Sequence, residues 1–180
     1  MSQNQLVAKA LAAATDTAAL EIGVDILSRV PVMFKEQFPE KRALIVADEN
    51  TWRAAGEAVY AYLQQEGVEC EQPYLFTDKE LHAEWKFIEM LDERLAATDA
   101  IAVSVGSGTI NDLCKLCSHH QNRPYMCVAT AASVDGYSSF GASITYKKRI
   151  PGQTYPCNPF GKTFGLLGRQ GSALCKKRRP

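Results

Sequence analysis

The chain has 180 residues, enough for one domain with a buried core, and no run of about 18 uninterrupted apolar residues that would span a membrane. Its first residues, Met1-Ser-Gln-Asn-Gln5, lack the basic stretch of a secretory signal, so a cytoplasmic address and reduced cysteines are expected. A net charge of zero hides a division: all 20 acidic residues lie at or before Asp135, against 11 Lys and Arg, while Gly136 to Pro180 holds nine basic residues and no acid. Such a boundary implies either a basic interaction tail or a point where the original coding sequence was lost.

Along the chain, Gln5 to Ala13 has the pattern of a short amphipathic helix, and Ala18 to Ile22 that of a short strand ending at Gly23. Ile26, Leu27, Val30 and Phe34 suit a helix from Val24 to Phe38, which Pro31 must kink or split. Ala43-Leu-Ile-Val-Ala47 reads as a buried strand. A helix follows from Trp52 to Gln65, closed by Gly67. Pro73 to Thr77 is a third strand, and Lys79 to Ala97 a long helix with Leu81, Trp85, Ile88 and Leu91 on one face. Ile101 to Val105 is β-branched and apolar, stops at Gly106-Ser-Gly108, and gives way to helical spacing at Ile110, Leu113 and Leu116. Tyr125 to Thr130 is a fifth strand. The alternation of strands and helices predicts an α/β fold, a Rossmann-like and mostly parallel sheet with helices on both faces. After Asp135 the pattern weakens to a hairpin of Ala142–Tyr146 with Gln153–Pro156, and no regular element is expected from Asn158 onward.

In such sheets ligands sit beyond the carboxyl ends of the strands. That rule singles out three places. The first is the turn of Gly106, Gly108, Thr109, Ile110, Asn111 and Asp112, where glycine permits close approach and positive φ, and the helix N-terminus offers N–H groups to a phosphate. An ordinary strand-to-helix turn, with Asn111 and Asp112 as cap chemistry, is the plainer reading. The second is Asp48, which either accepts the hydroxyls of an adenine-side ribose or caps the following helix. The third is Thr130 to Ser139, with its hydroxyls and Asp135, suited to a substrate alcohol and a nicotinamide ribose, or simply a polar loop. Cys114-x-x-Cys117, with His119 and His120 beside it, also admits a zinc or redox reading, although a second Cys-x-x-Cys is missing. The cationic tail lacks the aromatic interleaving of a nucleic-acid surface.

Gly106-Ser-Gly-Thr-Ile-Asn-Asp-Leu113, then Arg123-Pro-Tyr, then Ala129-Thr-Ala-Ala-Ser-Val-Asp-Gly-Tyr-Ser-Ser139, resembles the sn-glycerol-1-phosphate dehydrogenases of the iron-containing alcohol dehydrogenase and dehydroquinate synthase-like superfamily. Ala47-Asp-Glu-Asn-Thr-Trp52 agrees as well, and the resemblance runs from about Leu20 to Tyr146. It implies reduction of dihydroxyacetone phosphate to sn-glycerol 1-phosphate, a step of phospholipid metabolism, with NAD or NADP as cofactor and zinc or nickel as the metal. It implies that Asp48, Gly106, Gly108, Thr109, Ile110, Asn111, Asp112, Thr130, Ala131, Ala132, Ser133 and Ser139 contact the dinucleotide and that Asp135 faces the substrate. It also implies a homodimer for the full-length enzyme, with no nucleic-acid or membrane partner.

The departure from the family matters equally. The resemblance implies metal ligands of one Asp and two His in a C-terminal helical domain, yet this chain has no acid after Asp135 and no His after His120. The expected organisation is therefore a dinucleotide-binding domain at residues 1–156 and an irregular basic tail at 157–180, from out-of-frame translation or a premature stop, with the helical metal domain missing. The expectation is a truncated, inactive N-terminal half; the alternative is a non-catalytic binding module whose tail docks a partner.

Overall fold

The apolar runs between residues 43 and 129 become the centre of one parallel sheet. The computed structural model describes residues 3–14, 17–131, 136–138, 141–145, 154–156 and 163–169. Its strands are β1 (Thr17–Val24), β2 (Ala43–Asp48), β3 (Tyr74–Phe76), β4 (Ile101–Gly106), β5 (Tyr125–Ala129) and β8 (Thr163–Arg169). They lie side by side in the order β1-β8-β5-β4-β2-β3, every neighbouring pair parallel. A separate antiparallel pair joins β6 (Gly141–Ser143) to β7 (Thr154–Pro156), the expected hairpin.

Burial explains why β2, β4 and β5 read as unbroken apolar runs. Successive side chains still point to opposite faces. Leu44, Val46, Ala102, Tyr125, Cys127 and Ala129 face one core, covered by the helices α5 (Trp85–Ala96) and α6 (Gly108–His120). Ala43, Ile45, Ala47, Val103, Val105, Met126 and Val128 face the other, covered by α2 (Val30–Gln37) and α4 (Glu57–Gln65). Both faces are therefore dry at β2, β4 and β5, the centre of the described sheet.

The helices differ from expectation where a local bond decides. The segment from Val24 to Phe38 is split: Ile26–Arg29 forms a 3₁₀ turn, and Pro31 sits in the first turn of α2, where its missing N–H costs nothing. Strand β1 runs through Gly23 to Val24 and is turned by Asp25 at φ 55°, a left-handed conformation that Asp tolerates. Gly67, at φ 75°, closes α4 as expected. Helix α5 starts at Trp85 rather than Lys79, because Asp78 accepts the Glu80 N–H (2.9 Å) and bends residues 78–80 into a turn. Glu84 then pairs with Thr145 as a short parallel bridge. Helix α1 (Gln3–Ala13) lies at the chain's start, beside β1.

One expectation is overturned. The sequence predicts no regular element from Asn158 onward, yet Thr163–Arg169 is an interior strand, bonded to β1 on one side and β5 on the other. Gly165 and Gly168 interrupt its apolar residues, which removes the periodic signal in sequence, while its partners lie about 40 and 140 residues away.

Candidate active site

The strand order places a crevice at one point. From β2 the chain moves outward to β3, and from β4 it moves the other way to β5. The helices that follow β2 and β4 consequently lie on opposite faces, α4 with one core and α6 with the other. Such a switch point opens a cleft at the carboxyl ends of the two strands, and α/β sheets bind ligands there.

Residues at that level are those the sequence singled out. Two residues beyond the Val46–Ser104 pair bring Asp48 level with Gly106, and Gly106 itself is opposite Ala129. The Thr130 N–H donates to the Gly106 carbonyl at 3.0 Å, so the third segment starts where the first turn begins.

Gly106 serves close approach. A Cβ built on it would meet Ile110 Cβ at 2.6 Å and Ile110 Cγ1 at 2.7 Å, so α6 packs onto β4 only because no side chain intervenes. Positive φ, which the sequence suggested for this turn, is absent at Gly106 and Gly108; among the described residues Gly67 is the glycine that has it. Helix α6 starts at Gly108 with Ser107 at its N-cap, and Ser107 makes no side-chain cap bond. The helix ladder begins with Asn111 N–H to Ser107 O (3.1 Å), so the amides of Gly108, Thr109 and Ile110 precede it and point out of the helix end. Three amide donors and the helix's partial positive charge thus stand at the carboxyl end of β4, an arrangement suited to an anionic phosphate.

Asp48 caps the other side. Its Oδ1 accepts from the Asn50 N–H (2.8 Å) and the Thr51 N–H (2.9 Å), while Thr51 Oγ1 accepts from the Asp48 N–H (3.0 Å). The capping role is therefore filled, and both bonds use Oδ1. The short α3 (Glu49–Thr51) leads into five π-helical residues, Trp52–Gly56, before α4. Gly56 has no Cβ because the Trp52 ring lies 2.7 Å from where it would be.

Asn111 and Asp112 turn away from the cleft. Asn111 is 1% exposed, its Oδ1 accepts from Tyr125 OH (3.0 Å), and its Nδ2 meets no partner. Asp112 accepts the Ser143 N–H at 3.2 Å and lies 4.0 Å from Lys115 Nζ. Burial raises the Asp112 carboxyl above its usual range, against the pull of the Ser143 N–H and Lys115. Lys115, which the sequence reading passed over, donates to the Gly141 carbonyl at 3.2 Å. Its signal was present: a lysine within the apolar stripe Ile110, Leu113, Cys114, Leu116 and Cys117. Thr130 is half-buried and Ala131 exposed, and the Ala131 carbonyl accepts from Tyr137 OH at 2.5 Å. Ala132, Ser133, Asp135 and Ser139 lie outside the described residues.

The zinc or redox reading of Cys114 and Cys117 does not survive. Both thiols are buried, burial pushes both well above the ordinary thiol value, and Cys117 Sγ faces the Ile88 carbonyl at 3.5 Å. His120 is paired with Asp92 on α5 at 2.5 Å. Among the described residues no three His, Cys, Asp or Glu side chains converge as metal ligands would, so no step through a metal is derived from them.

Comparison with known proteins agrees with this geometry. A 32% identical relative, the glycerol-1-phosphate dehydrogenase [NAD(P)+] of Halalkalibacterium halodurans, aligns over 130 residues, 69% of this chain and 32% of its own length. The Bacillus subtilis enzyme of the same name is 35% identical over 104 residues, 56% of this chain and 26% of its own. The chain thus spans about a third of the length of the curated relatives it matches. Among solved structures, the NADH-dependent butanol dehydrogenase A of Thermotoga maritima superposes with a TM-score of 0.71 at 12% identity, over 83% of this chain and 42% of that one. The glycerol dehydrogenase of Schizosaccharomyces pombe does so with a TM-score of 0.66 at 22% identity, over 85% and 38%. These likenesses establish the shared fold. The family described as "Iron-containing alcohol dehydrogenase" matches residues 21–161, from within β1 to just short of β8, and the chain belongs to that family of oxidoreductases.

Proposed function

We propose that this chain is the dinucleotide-binding portion of an NAD(P)-dependent glycerol-1-phosphate dehydrogenase. The observation that carries the reading is the crevice between β2 and β4, where the first-turn amides of α6 follow Gly106, which stands level with Asp48. The amides of Gly108, Thr109 and Ile110 would receive the pyrophosphate. Asp48, its Oδ1 already engaged as a cap, would offer Oδ2 to a ribose hydroxyl. Thr130 and the segment after it would border the nicotinamide end, with Asp135 toward the phosphate-bearing substrate. When bound, the dinucleotide supplies the hydride; the residues of this chain hold and orient it.

The relatives' names support the substrate, dihydroxyacetone phosphate reduced to sn-glycerol 1-phosphate, for the complete enzyme. A divalent metal in the complete enzyme, zinc or nickel, a homodimeric assembly and a cytoplasmic location belong to the same proposal. For the 180-residue chain alone binding without turnover is expected, since no Asp, Glu or His follows Asp135 to provide a metal's ligands. The test is a fluorescence titration of the full chain with NADH, competed with NAD+, followed by assay with dihydroxyacetone phosphate and zinc or nickel. Saturable, competed binding without NADH oxidation is expected. A chain that shows no saturable binding would defeat the reading, and turnover abolished by a chelator would defeat its truncated form.

A further inference from the structure

Two charged side chains on α6, Lys115 buried and Asp112 half-buried, stand outside the proposed dinucleotide contacts. Lys115 is 4% exposed at its side chain and Asp112 19%. They are three residues apart, 4.0 Å from each other, and both reach the backbone of β6. Asp112 Oδ2 accepts the Ser143 N–H at 3.2 Å, and Lys115 Nζ donates to the Gly141 carbonyl at 3.2 Å. Gly141 and Ser143 are alternate residues of one strand, so the pair grips β6 at two successive points along one edge.

Thr130 and Gly141 are thereby held to the same strand-turn-helix unit. The Thr130 N–H is held by the Gly106 carbonyl (3.0 Å). Strand β6 is held by Asp112 and Lys115. In between, Tyr137 is buried in the core under α6 and its hydroxyl returns to the Ala131 carbonyl. Ala142 and Ile144 enter the same core. A buried lysine beside a half-buried carboxylate costs desolvation that a surface loop does not need.

We propose that Asp112 and Lys115 are positioning residues for the dinucleotide site: a clasp that fixes a strap, residues 136–138 and β6, against the unit carrying the α6 N-terminus, with Tyr137 passing that placement to Ala131 beside Thr130. The proposal rests on the dinucleotide reading above.

The test uses the full chain, with NADH titration and amide hydrogen exchange measured on the same proteins. Asp112→Ala should speed exchange at Ser143 and at residues 136–138, leave exchange in β2 and β4 unchanged, and weaken NADH binding about tenfold. Asp112→Asn retains an acceptor for the Ser143 N–H and should restore most of both. Ser143→Pro removes the same bond from the strap's side, and combined with Asp112→Ala it should weaken binding little further. Faster strap exchange with undiminished NADH affinity would overturn the positioning role, and unchanged exchange in Asp112→Ala would overturn the clasp itself. Should the unsubstituted chain bind no NADH, the dinucleotide reading fails with the positioning role, while the exchange comparison still decides the clasp.

Discussion

At the scale of single residues, Asp48 has one observed duty, as a helix cap, and one proposed duty, as a ribose partner, and different substitutions separate them. As a helix cap it needs an acceptor for the Asn50 and Thr51 amides, and asparagine provides one. As a ribose partner it needs a negative charge that disfavours a 2′-phosphate. Asp48→Ala should therefore lower stability by about 1 kcal/mol. Asp48→Asn should leave the urea midpoint nearly unchanged while narrowing any preference for NADH over NADPH. Equal losses in the two variants would mean that the charge matters to folding. Gly106 is the second decisive residue. Gly106→Ala places a Cβ 2.6 Å from Ile110 Cβ, so it should destabilise by about 1–3 kcal/mol and displace the α6 N-terminus. Truncating Ile110 to Ala keeps its Cβ and should fail to relieve the clash; recovery in the double variant would show that the outer side chain, not the helix–strand approach, sets the requirement.

At the scale of elements, what holds α5 to the amino end of the sheet is a charged knot around Glu71. Its carboxylate accepts from Arg94 (2.6 Å), contacts Arg42 (3.0 Å) and takes the Thr98 hydroxyl. Burial alone would raise this carboxyl, but the Thr98 bond and the two guanidinium groups prevail and hold it below the usual range. A depressed carboxyl contributes stability above its unfolded pKa of about 4.3 and loses it as pH falls through the lower folded value. Glu71→Gln should thus be less stable than the parent at pH 7, with the difference closing below about pH 4. A difference that stays constant across that range would assign the loss to packing instead. This knot was invisible in sequence, because its members come from residues 42, 71, 94 and 98. The same holds for Lys115: its position in an apolar stripe is visible, but only the arrival of β6 explains its burial. By contrast β2, β4 and β5 are legible, since strands buried on both faces need unbroken apolar runs, and the cleft follows from their ends. The start of α5 was misread because a local turn at Asp78 and a pairing with Thr145 outweigh the helical spacing of Leu81.

At the scale of the whole molecule, the question is what β8 does. The family match ends at residue 161, yet β8 lies between β1 and β5 and bonds to both. Without it those two strands would stand two strand spacings apart, about 10 Å, each with a row of unpaired backbone groups. β1 is already an edge strand, with Ile22 43% and Val24 66% exposed, and would lose its only strand partner in the described sheet. A chain ending at Gly161 should consequently lose exchange protection in β1 and along β5, bind an apolar dye and scatter light on warming. A chain ending at Gln170 keeps β8 and should unfold like the full protein. Two features set this outcome against that of a tail without structural role: it depends on where the truncation falls, and it spares β2 and β4, whose partners remain. If the chain ending at Gly161 stays monomeric and melts as sharply and at the same temperature as the full chain, β8 contributes nothing and the residues after Pro156 are a tail after all.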